Sequence, residues 1–119
     1  MKRSILLLMV VVVVLGLAGC DLLGTKEVRY EVTNSSSSLN IRYLDEDGEL
    51  INVYTTANFW SHSFTINRVA SAIVAYVEAE STSGVIATVS VEILEDGFSE
   101  AFDSATAVNA FAQAVVVIE

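Results

Sequence analysis

From Lys26 onward, apolar and polar residues alternate with a period of two, the pattern of strands buried on one face. Val28, Tyr30 and Val32 fall on one side of a first strand; Glu27, Arg29, Glu31 and Thr33 fall on the other. Asn34 and the serines at 35–38 read as a loop, after which Leu39, Ile41 and Tyr43 define a second strand. Asp45-Glu46-Asp47-Gly48 closes it, and Gly48 suits the positive φ of a hairpin into a third strand over 50–56. Residues 58–61 interrupt the alternation, and Phe64 with Ile66 marks a fourth strand. Residues 72–80 form a fifth; the run could be helical, but its β-branched content and the closeness of the next strand favour a strand. Val85, Ala87, Val89, Val91 and Ile93 alternate most clearly, and Asp96-Gly97 is a strong two-residue hairpin signal into 98–104. An apolar, β-branched stretch at 110–118 ends the chain, and the alanine-rich stretch 104–112 could hide a short helix.

Seven or eight strands at this spacing, without proline, predict an all-β fold: an antiparallel β-sandwich over residues 26–119, one domain with one core. The segment before it follows a different rule. The basic pair Lys2-Arg3 precedes an unbroken apolar run over 5–15, too short to span a bilayer and interrupted by Gly16 and Gly19. Leu17-Ala18-Gly19-Cys20 then places small residues just before a cysteine, the pattern that a lipoprotein signal peptidase cleaves between Gly19 and Cys20. The expectation is a signal helix over 1–19, removed in the mature protein, and a lipidated tether over 20–25. Cys20 would carry diacylglycerol and acyl chains, including palmitate, on the exported side of a cell-envelope membrane. Cys20 is also the sole cysteine, so the domain has no internal disulfide, and lipidation explains the unpaired thiol.

Charge narrows the partners. Loss of Lys2 and Arg3 moves the net charge from −9 to −11, with Lys26, Arg29, Arg42 and Arg68 set against fifteen acidic residues. That balance excludes nucleic acid, which requires clustered Lys and Arg, and adhesion to anionic headgroups. Attachment to the membrane then depends on the acyl chains on Cys20.

Candidate chemistry is sparse. His62 is the one histidine, too few for a zinc site or a Ser-His-Asp triad, and it is expected as a surface strand residue. The acids at 45–49 are contiguous, unlike the spread ligands of an EF-hand loop, and read as a solvated turn. The sequon Asn34-Ser35-Ser36 is incidental behind a bacterial signal peptide. The sequence therefore predicts no catalytic residue, no metal and no cofactor, and a non-enzymatic protein. Phe59 and Trp60 stand out as an adjacent aromatic pair: either Trp60 fills the core between sheets, or the pair is exposed to bind a partner.

Several segments together resemble the MmpS-type transport accessory family. They are Val28-Arg29-Tyr30-Glu31-Val32; Ile41 through Gly48, similar to that family's TYxDxDG segment; Phe59-Trp60-Ser61, where the family has Pro-Trp-Ser; and Val91 through Gly97, similar to its VxIxVDG hairpin. The likeness runs over about residues 27–118. It implies an immunoglobulin-like sandwich and a role assisting an RND-type envelope transporter that exports lipids or siderophores. The chain departs from the family in lacking that proline and the family's cysteine pair, and in having a lipidation motif where relatives carry a membrane helix. The alternatives from other classes are a carrier holding a lipid or glycan between its sheets, and a surface adhesin or antigen.

Overall fold

The alternation becomes eight strands in two antiparallel sheets in the computed structural model, which describes residues 24–67 and 72–119. The strands are β1 (Thr25–Asn34), β2 (Leu39–Leu44), β3 (Leu50–Thr55), β4 (Phe59–Asn67), β5 (Ile73–Ser81), β6 (Ile86–Glu95), β7 (Phe98–Val108) and β8 (Phe111–Ile118). One sheet has the order β4-β1-β6-β7 and the other β3-β2-β5-β8, giving the expected immunoglobulin-like sandwich with the fuller strand count. The signal peptide, the 20–25 tether up to Leu23, and Gly19 and Cys20 with it, lie outside the described residues.

Both stretches that left room for a helix are extended. In β5 the inward positions Ala75, Val77 and Ala79 are fully buried, a period of two that a helix would scatter around its axis. The alanine-rich region is the end of β7, a turn through Asn109 at φ 58°, and the start of β8. Tertiary packing on one face of each strand thus outweighs alanine's helix preference. The expected interruption over 58–61 is also smaller than the sequence suggests. β4 begins at Phe59, and only Asn58 and the two residues before it connect β3 to β4.

Inward side chains grade the sandwich from one edge to the other. Along β5, β7 and β8 they are mostly small: Ala75, Ala79, Ala101, Ala105, Ala112 and Ala114. Here the backbones of the two sheets come closest, β8 lying against both β6 and β7. Toward β3 and β4 the same layer holds Tyr30, Tyr43, Trp60, His62 and Phe64. Ring volume holds the sheets apart where alanine lets them meet.

The hairpins follow their turn chemistry. Asp96 and Gly97 both take positive φ, 51° and 86°, as a two-residue turn between right-twisted strands requires. Asp96 is fixed further by reciprocal bonds with Glu27: its amide donates to the Glu27 carbonyl at 2.8 Å, and its carboxylate accepts from the Glu27 amide at 2.9 Å. Beyond that turn the β6–β7 register jumps, from Ile93 opposite Ala101 to Leu94 opposite Ser99, which leaves Glu100 as a bulge on β7.

Candidate partner-binding surfaces

Strand alternation separates the aromatic pair. Phe59 and Trp60 are consecutive in β4, so their side chains leave opposite faces of the sheet. Phe59 is 53% exposed on the outer face, opposite Thr33 of β1. Trp60 points between the sheets, half-buried, its ring 5.3 Å from Tyr43 and stacked on His62 at 6.2 Å with 14° between planes. The two therefore form no single anchor: one belongs to the rim of the core and the other to the surface. His62, expected on the surface, faces inward with Trp60, 4.7 Å from Tyr43 and 6.1 Å from Phe64. Burial raises the Tyr43 phenol above its ordinary pKa, and the nearby Asp45 and Glu46 add to the effect.

Asn58, just before this strand, pins its entry. Its side-chain amide donates to the carbonyls of Asn34 and Ser36, both at 2.8 Å, and its own carbonyl accepts from the Asn34 amide at 2.9 Å. Asn34 is buried, with its amide group engaged by Ser38 and Ser36, so the sequon is internal to a loop junction.

A second surface was not singled out by the sequence. On the outer face of the β3-β2-β5-β8 sheet, Arg42 stands opposite Glu78 and donates to its carboxylate from Nε at 2.8 Å, with a second guanidinium nitrogen at 2.7 Å. This pairing raises the Arg42 pKa above its ordinary value. The Tyr76 hydroxyl also donates to Glu78 and lies 3.2 Å from the Gln113 side-chain oxygen. Partial burial, then the bond to Glu78, pushes the Tyr76 phenol up to about 12. Around Arg42 and Glu78 runs a shallow, open concavity of about 600 Å³, lined also by Asn40, Asn52, Tyr54 and Glu80. A smaller one of about 70 Å³ lies on the opposite outer face beside Glu31, Glu92 and Phe102. Both open outward, one on each outer face of the sandwich. Arg42 and Glu78 each sit on the polar side of their strand; that parity is the one trace of the pair in the sequence, since they are 36 residues apart.

Among the described residues no three His, Cys, Asp or Glu side chains converge to hold a metal ion, and no helix is long and apolar enough to cross a membrane. The acidic turn spends its chemistry on itself: the Asp45 carboxylate accepts from the amides of Asp47 and Glu49, both at 2.9 Å.

The model of the Mycobacterium membrane protein family matches residues 17–118, nearly the whole chain. The protein belongs to that family. It is a membrane-associated accessory protein of the MmpS type. The match takes in the Leu17–Cys20 motif together with all eight strands. No curated protein matches the chain.

Proposed function

We propose that the protein is a lipid-anchored, non-enzymatic docking domain, held through Cys20 on the exported side of the envelope membrane and assisting an RND-type transporter. The observation that carries this reading is the family match over residues 17–118. The described surfaces offer exposed apolar side chains, Phe59 among them, and an ion-paired, hydrogen-bonded sheet face on which a partner could settle. A head of this charge has no electrostatic hold on an anionic bilayer, so acyl chains supply the attachment.

Two measurements test the parts separately. Intact-mass analysis of the mature protein is expected to find a start at Cys20 carrying diacylglycerol, and a retained Met1 start refutes the anchor. Crosslinking in native membranes followed by co-purification is expected to recover a transporter of the RND type. Recovery of no envelope protein refutes the docking role while leaving the anchor standing.

A further inference from the structure

The four edge strands of this sandwich are not equally defended. A sheet edge presents unpaired backbone donors and acceptors, and natural proteins blunt it with bulges, inward charges, lysine or proline. At the β7/β8 side those devices are present. β7 carries the Glu100 bulge and two acids, and its inward Asp103 reaches the edge of β8, where the carboxylate accepts from the Gln113 amide at 3.0 Å. On the other side, β3 is six residues long and begins directly after the acidic turn. β4 is nine residues long, with no charged residue, no proline and no bulge, and no strand among the described residues pairs with its outer edge.

We infer that the outer edge of β4 pairs antiparallel with β4 of a second copy of this chain, joining the two β4-β1-β6-β7 sheets into one. The sequence of β4 is complementary to itself about Ser63, the middle of Phe59–Asn67. Antiparallel pairing centred there sets Trp60 against Ile66 and His62 against Phe64 on the inner face. On the outer face it sets Ser61 against Thr65 and Ser63 against its own copy. Over residues 60–66 aromatic and aliphatic side chains thus meet each other and hydroxyls meet hydroxyls, both favourable cross-strand combinations; the end pair, Phe59 against Asn67, is mixed. Three features single out this edge: β3 is only six residues long, the edge of β8 is met by the Asp103 carboxylate, and β7 carries acids of its own. The chain is strongly acidic, and self-pairing of β7 about its centre would oppose Asp103 to Asp103 with Glu100 close by; self-pairing of β4 brings no like charges together. An isologous contact of this kind closes as a dimer and does not propagate.

The experiment is disulfide trapping with the full chain in its native membrane. Opposed Cα atoms in an antiparallel pair lie within the range that a disulfide spans. Ser63→Cys is expected to give a homodimer on mild oxidation, more than tenfold above both the unsubstituted chain and Ser99→Cys, an exposed position on β7. Adding Ser61→Lys and Thr65→Lys to Ser63→Cys is expected to abolish the dimer. Each lysine faces Glu31 or Glu27 within its own protomer, which supports the fold, but faces the other lysine across the interface. Absence of a Ser63→Cys homodimer, equal trapping at Ser99→Cys, or a Ser63→Cys adduct to a different, larger protein would overturn the inference.

Discussion

The hydroxyl of Tyr30 donates to the carbonyl of Leu44 at 2.6 Å, from a residue in one sheet to a residue in the other. The same oxygen accepts from the Tyr76 amide at 3.2 Å. The β2–β5 ladder ends at Tyr43 opposite Val77, so Leu44 and Tyr76 would form its next rung. Tyr30 inserts its hydroxyl there, replacing one direct backbone bond with two bonds that cross the sandwich. Its ring is fully buried, 5.6 Å from Tyr43 and 5.8 Å from Phe64.

Tyr30→Phe keeps the ring and removes the bridge, leaving the Leu44 carbonyl and the Tyr76 amide without this partner. The expected loss is about 1–3 kcal/mol in chemical denaturation, the usual cost of orphaned polar groups in a protein interior.

The same site sets an alkaline limit. Burial pushes the Tyr30 phenol up to about 12 from its ordinary 10, because ionisation there would place a charge among apolar rings. A folded-state pKa above the unfolded one gives stability that is complete below pH 10 and is lost as the pH rises through 12. Thermal melts of the native protein are expected to fall steeply between pH 10 and 12, and those of Tyr30→Phe more gently.

Gly97 tests the β6–β7 turn. At φ +86° a side chain meets no neighbouring atom within 4 Å, so substitution is penalised by backbone conformation alone. Gly97→Ala is expected to cost about 1 kcal/mol in denaturant unfolding, without a change in m-value.

Asp103 should protect a single amide. In Asp103→Ala the Gln113 amide loses its acceptor, and its hydrogen exchange is expected to accelerate at least tenfold while the amides of β1 stay unchanged. Equal exchange in variant and native protein would show that the carboxylate does not guard the β8 edge.

Phe59 and Trp60 should separate stability from docking. Trp60→Ala removes a ring packed against the core and is expected to cost about 3 kcal/mol. Phe59→Ala, on the outer face, is expected to change stability by less than about 0.5 kcal/mol while reducing transporter recovery in the crosslinking assay. Unaltered recovery would remove Phe59 from the docking surface.

How far the sequence could be read depended on sequence distance. Val28, Tyr30 and Val32 declare their strand because alternation is a local property, and Asp96-Gly97 declares its turn because backbone conformation is local too. The start of β4 was harder. Phe59 is an apolar residue on the outside beside an aromatic on the inside, so hydropathy no longer reports which way each side chain points. A short helix stayed possible over 104–112 for a related reason: alanine suits a helix intrinsically, and only the facing sheet makes it the right size for a strand. Arg42 with Glu78, and Tyr30 with Leu44 and Tyr76, depend on the pairing of distant strands, which no short-range pattern encodes. Cys20 is the reverse case, singled out by the sequence pattern and lying outside the described residues.

The grading of the sandwich from alanine to aromatic has a mechanical consequence. An alanine has no side-chain torsion with which to accommodate movement, so the layers meet along β7 and β8 as the spine of a book, close and without play. Rings can tilt and slide over one another, and those of Tyr43, Trp60 and His62 line the fore-edge. Breathing of the two sheets is therefore expected to be concentrated at β3 and β4, where amide hydrogen exchange would run faster than along β7 and β8.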